Sequence, residues 1–210
     1  MKLTVLTYNT LFAGRDGAND ARAQAQIDLI NQVRPDVFLM QEAKGFDANG
    51  GAWLYATEDR IGMRGFLAIA PRTGQNVAIF IREPLRPLAF DADGAHFHHA
   101  LATLKVAVPG SSEPITFISA HLCPNGPEVR RREAAYLAVQ AAPDRLTLVT
   151  GDFNSASPHD PEPEGFDALP AQHRARYLAD DLQSADRSVL AHLEAAGWVD
   201  LGYRLDPAKV

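Results

Sequence analysis

Cysteine is almost missing from this chain: Cys123 is the single one among 210 residues. An internal disulfide is therefore excluded, and with it the small disulfide-stapled class. No stretch reaches the roughly 18 consecutive apolar residues of a membrane-spanning helix. The N-terminal MKLTVLTYNT holds too short an apolar run for a secretory signal, so a cytoplasmic protein is the expectation. Positive charge is in deficit, with 20 Lys and Arg against 26 Asp and Glu and a formal net charge of −6. That balance argues against a protein that coats nucleic acid through a general basic surface. It leaves room for an enzyme that meets one or two phosphates in a local pocket. Also missing are a Cys/His cluster at zinc spacing, a Gly-rich phosphate loop and a G-x-S-x-G elbow.

What is present suits one globular domain over residues 1–210, with 46% hydrophobic and 22% charged residues. Lys2–Tyr8 alternates and is rich in β-formers, which predicts a strand. Asn19 is placed to cap a helix to about Val33, with Ala23, Ile27, Ile30 and Val33 at helical spacing and Pro35 beyond. Val37–Met40 reads as a short strand and Ala52–Ile61 as a helix. Phe66–Ala70 with Asn76–Ile81, and Leu101–Val108 with Ile115–Ala120, read as two strand pairs. Glu128–Gln140 reads as a helix and Leu146–Thr150 as a strand buried on both faces. Leu169–Asp181 and Ala185–Ala196 close the chain as helices. So many strands in the middle disfavour one doubly wound parallel sheet and favour two packed sheets flanked by helices.

Four apolar strands end in a polar group at the same kind of place: Asn9, Glu42, His121, and Asp152 with Asn154. In open α/β sheets ligands gather beyond the carboxyl ends of the strands, so these ends are expected to converge. If the chain stays extended past Gly151, Asp152 and Asn154 project to one side while Phe153 packs on the other. Each residue alone has an ordinary structural role available to it; the joint pattern is what points to a site. A lone carboxylate, Glu42, helped by neutral amides such as Asn9, suits Mg²⁺ or Mn²⁺, which keep several waters and take substrate phosphate as a ligand. His121 could donate to a phosphoryl oxygen, and Asp152 could orient a water for in-line attack.

TYNTL at 7–11, PDVFLMQEA at 35–43, ISAHL at 118–122 and TGDFNS at 150–155 come in the order and rough spacing of one group of enzymes. In these motifs the chain resembles the endonuclease/exonuclease/phosphatase superfamily, over nearly all of its length. The resemblance implies an α/β (α+β) fold, a four-layer α/β/β/α sandwich, and divalent-metal-dependent hydrolysis of phosphate esters. It implies Glu42 as metal ligand with Asn9 beside it, His121 as the phosphate or leaving-group histidine, and Asp152 and Asn154 as the pair that orients water and phosphate. It further implies substrate contacts from Asn76, Asn125 and one of His98 and His99, with His99 the residue chosen. The family pattern closes with a Ser-Asp-His motif and an Ile-Asp-Tyr-type strand. Neither occurs in this sequence, so the domain is expected to be C-terminally incomplete, lacking its last strands and the histidine that acts as base; a base supplied from elsewhere, or an inactive protein, is the alternative.

The expected substrate is a phosphodiester, nucleic acid or small molecule; a phosphomonoester, or a binding module with impaired chemistry, is the alternative. Trp53 and Tyr55 could stack on a base or pack in the core. Arg130-Arg131-Arg132 reads as a solvated helix face rather than a phosphate-steering patch. Oligomeric state and natural substrate stay open.

Overall fold

The computed structural model describes residues 2–17 and 19–206, and its contacts divide into two compact units. The first, Met1–His121 with Arg145–Asp152, carries both sheets; the second is Leu122–Asp144 with Phe153–Val210. In chain order the first unit contains β1 (Val5–Asn9), α1 (Ala21–Val33), β2 (Val37–Gln41), α2 (Ala52–Ile61), β3 (Arg64–Ala68), β4 (Val77–Ile81), β5 (Arg86–Asp93), β6 (Leu101–Ala107) and β7 (Ile115–His121). The second contains α3 (Pro127–Ala138), and the chain then re-enters the first unit as β8 (Leu146–Asp152). It returns to the second for α4 (Ala171–Tyr177), α5 (Ser188–Ala195) and α6 (Leu201–Leu205). Two mixed four-stranded sheets, ordered β1-β2-β4-β3 and β5-β6-β7-β8, pack with helices as an α/β sandwich.

Alternation along the strands builds the first unit. Val37 and Leu39 of β2, with Val77, Ile79 and Ile81 of β4, enter a cluster shared with Ala102, Leu104, Val106 and Phe117 of the second sheet. Phe38, Met40, Ala78 and Phe80 face the other way, onto Ile27 and Ile30 of α1 and Ile61 of α2. Both β2 and β4 are buried along their full length, and the paired Phe38 and Phe80 stack with centroids 5.6 Å apart. Helix α1 begins where Asn19 Oδ1 accepts from the Ala21 amide at 3.0 Å. It ends in a left-handed Arg34, whose amide bonds back to the Ile30 carbonyl just before Pro35.

Three departures from expectation have physical causes. β5 was not anticipated: Pro87, Asp91 and Asp93 break the usual strand signal, yet an edge strand tolerates them, with a register shift between Pro87 and Ala89. β8 is apolar in sequence but stands at the edge of its sheet, so Leu146 is 58% exposed and the strand is half-buried elsewhere. The helix anticipated over Leu169–Asp181 is only Ala171–Tyr177, because the chain turns extended at Leu178. Among the described residues no helix is long and apolar enough to cross a membrane.

Candidate active site

Asn9 closes β1, and Glu42 follows the end of β2, which runs parallel to β1 with Asn9 opposite Gln41. In the second sheet β7 and β8 are also parallel, and their register sets His121 opposite Asp152. Side chains join these ends across the two sheets. Asn9 Nδ2 donates to Glu42 Oε1 at 3.2 Å and to Asp152 Oδ2 at 2.9 Å. A single neutral amide nitrogen thus spans two carboxylates. His121 Nε2 lies 3.8 Å from Asp152 Oδ2, beyond direct hydrogen bonding.

The loop after β1 is shaped around Glu42. Leu11, Phe12 and Ala13 have φ of 48°, 55° and 58°, and Glu42 itself has φ 60°. Left-handed backbone at non-glycine residues costs on the order of 1 kcal/mol or more each. The return is visible in the bonds. Glu42 Oε2 accepts from the Phe12 amide at 2.9 Å, the Glu42 carbonyl from the Ala13 amide at 2.8 Å, and Asn9 Oδ1 from the Leu11 amide at 3.0 Å. From α1, Arg22 Nη1 donates to the carbonyls of Thr10 (2.9 Å) and Leu11 (2.8 Å), backing the loop.

Two residues that the sequence reading passed over hold the sheets together beneath these groups. Gln41 is buried and its Nε2 donates to Ser119 Oγ at 3.0 Å, one residue from Glu42 and two from His121. The available signal was a polar residue inside an otherwise apolar strand end, in QE and in SAH, where burial demands a partner.

His121 is buried, and its ring stacks on the buried His99 with centroids 4.1 Å apart and planes 24° apart. His98 meets His99 edge-on at 4.9 Å. Burial holds the His121 pKa below its ordinary value, opposed by the Asp152 and Glu42 carboxylates and reinforced by His98. His99 is pushed down to about 3 by burial, then by its two neighbouring imidazoles. Both rings are therefore neutral at pH 7.

The other residues singled out from the sequence lie as follows. Asn76, expected to line a cleft, is fully buried. Its Oδ1 accepts from the Ala70 amide at 2.8 Å and its Nδ2 donates to Asp47 Oδ1 at 2.7 Å, which braces the loop after Glu42. Asn125 is exposed in the second unit, where its amide reaches Cys123 Sγ at 3.4 Å. Asn154 also belongs to that unit and donates from Nδ2 to the Leu122 carbonyl at 2.9 Å. Its φ of 49° shows that the chain is no longer extended there, so the simple two-residue alternation from Asp152 does not apply. Trp53 packs on the helix-side cluster with the Arg15 guanidinium 4.1 Å above its ring, while Tyr55 is exposed. Of the arginine triplet, Arg130 is not solvated but fully buried, 3.4 Å from Asp186 Oδ2, with its Nη1 donating to the Cys123 and Arg176 carbonyls.

Beside the His121 imidazole, the donors at the strand ends are oxygens: the carboxylates of Glu42 and Asp152 and the amide oxygen of Asn9. The Asn9 amide lies between two carboxylates, Glu42 and Asp152, and a pair of carboxylates this close is suited to hold a cation. Hard oxygen donors in small number fit Mg²⁺ or Mn²⁺ rather than zinc or copper. Among the described residues no group of three or more His, Cys, Asp or Glu assembles at metal-binding geometry.

Two mixed sheets packed with helices, with acid, amide and imidazole at their parallel strand ends, form the α/β sandwich of a phosphoesterase fold. The chain belongs to the Endonuclease/Exonuclease/phosphatase family, whose pattern matches residues 6–187. Solved structures agree in fold. TDP2 from Caenorhabditis elegans superposes with a TM-score of 0.56 at 18% identity, covering 73% of this chain and 48% of that one. The human Nocturnin catalytic domain, solved with a bound sulfate anion, gives 0.57 at 15% identity, covering 74% and 66%. ANGEL2, described as a 2′,3′-cyclic phosphatase and solved with adenosine-2′,3′-vanadate, gives 0.57 at 16%, covering 74% and 54%. This chain therefore spans about half the length of the C. elegans protein. No curated protein sequence matches it.

Proposed function

We propose that the protein is a Mg²⁺- or Mn²⁺-dependent hydrolase of phosphate esters, acting on phosphodiesters in the manner of a nuclease or small-molecule phosphodiesterase. The observation that carries this reading is the Asn9 amide held between Glu42 and Asp152, which places two carboxylates from different sheets beside one imidazole. Glu42, with Asn9 beside it, would hold the metal, which when bound supplies positive charge to a phosphoryl oxygen. Asp152 accepts a hydrogen bond from the attacking water and sets its line of approach. His121, neutral by burial, donates a ring N–H to a phosphate oxygen on which charge develops. His99 and Asn76 are assigned to the support of these groups. The Endonuclease/Exonuclease/phosphatase family membership supports the reaction class, and the cyclic-phosphatase neighbour supports a phosphodiester over a monoester.

Calorimetry with Mg²⁺ tests the metal assignment. Glu42→Gln is expected to weaken affinity by about tenfold or more, since it removes the charged ligand; unchanged affinity would overturn it. In the full protein, hydrolysis of bis-para-nitrophenyl phosphate is expected only with divalent metal, and Asp152→Asn should lower kcat by roughly 10²–10⁴-fold at unchanged fold. Metal-free turnover at the same rate would refute the mechanism.

A further inference from the structure

His121 ends β7 with its Nε2 3.8 Å from Asp152 Oδ2. One face of its ring is covered by His99, the two rings nearly parallel and both almost wholly out of solvent. His99 is itself fixed: its Nδ1 lies 2.8 Å from Thr73 Oγ1, and its Nε2 has no hydrogen-bond partner among the described residues. The Nδ1 of His121 likewise has none. A buried imidazole with no bond at Nδ1 lacks the usual device for setting ring orientation and tautomer, a carbonyl or carboxylate on the nitrogen away from the chemistry. Something else must keep Nε2 of His121 directed toward Asp152. The stacked plane of His99 is the contact that does so.

We propose that His99 is a positioning residue: a ring anchored by Thr73 whose face fixes the plane of His121 and so aims its Nε2 beside Asp152. His99 itself does not touch the phosphate, because it is buried behind His121 with its ring edge on Thr73. This rests on the reading of His121 as a phosphate-facing group, and it changes the role expected for His99 from substrate contact to support. The groups that face the pair are Asp152 from β8, Glu42 after β2, and His98 with Arg72 behind it.

The design separates plane from nitrogen. His99→Phe keeps a flat ring and loses both nitrogens; His99→Leu keeps the approximate volume and loses the plane. In the full protein with Mg²⁺ and bis-para-nitrophenyl phosphate, His99→Leu is expected to lower kcat by about tenfold or more with KM within about twofold, and His99→Phe to recover to within about threefold of the parent. Nitrogen NMR of the selectively labelled chain reads His121 without any substrate. His99→Leu should average or exchange its two tautomers, whereas His99→Phe should keep one. Equal losses of kcat in both variants with a raised KM would make His99 a substrate contact and overturn the proposal. So would an unaltered His121 spectrum in His99→Leu. If instead the spectra behave as expected but no phosphodiester is turned over, the support role stands and the hydrolase reading fails.

Discussion

Gly151 is the residue whose side chain, a lone hydrogen, the site cannot exchange. Its φ is 148°, and a Cβ built there would lie 1.8 Å from the Ala120 carbonyl oxygen, in the ladder that sets His121 opposite Asp152. Gly151→Ala must therefore push β8 away from β7 or break the pairing. A loss of roughly 3 kcal/mol or more is expected in urea unfolding, since both backbone conformation and close contact oppose the methyl. His99 gives a second test at this scale. Its folded pKa, about 3, lies below the unfolded value near 6.5, so between these the unfolded chain binds the extra proton and stability falls with falling pH. That contribution is full above pH 6.5, and from pH 7 to 5 the His99 share of the loss should be about 2 kcal/mol. Denaturation of His99→Phe at both pH values should show a decline smaller by that amount. The clustering of Asn9, Glu42 and Asp152 was legible because a polar residue ending an apolar strand stands out against its own pattern. The stack of His99 on His121 was not. HFHH in sequence looks like a solvated run, and no local signal tells which of its rings enters the core.

At the scale of elements, α1 was legible from its helical spacing and the Asn19 and Pro35 that flank it, and β2 and β4 from unbroken apolar runs that the sandwich covers on both faces. The edges defeated sequence reading in both directions. β5 looks too polar to be a strand, and β8 too apolar to lie at a margin; pairing order decides exposure, and order is not written in any one segment. Helix α3 teaches a related point, since Arg130, Glu133, Ala134 and Leu137 share its buried face. The spacing of Arg130 to Ala134 and Leu137 was a helical stripe, yet an arginine inside it reads as surface. Because Arg130 is wholly buried against Asp186 in the second unit, Asp186→Ala strands a buried charge. A cost of about 3–5 kcal/mol is expected by thermal or urea unfolding, whereas Arg130→Met together with Asp186→Leu should cost far less.

For the molecule as a whole, the proposed metal site at the sheet-end carboxylates carries a stability prediction: an ion bound there would also be a stabilising ligand. At Mg²⁺ about 100-fold over its dissociation constant, global stability should rise by about 2.7 kcal/mol, a gain that Glu42→Gln forfeits. A thermal melt with and without Mg²⁺ measures this with no substrate present. Membership in the Endonuclease/Exonuclease/phosphatase family was legible in four short motifs, because each motif marks a strand end and the fold brings strand ends together. The substrate was not, since it depends on loops whose sequence carries no comparable period. The bond from Gln41 to Ser119 and the bridge from Asn9 to Asp152 both cross from one sheet to the other. They act as dowels. Any sliding of one sheet over the other would shear the reacting groups out of alignment before it disturbed either sheet internally. On the proposed function, a flaw deep in the interlayer packing, at Leu104 for example, is expected to register first as slowed turnover and only later as lost structure. Turnover would then be the most sensitive gauge of how true the two layers run.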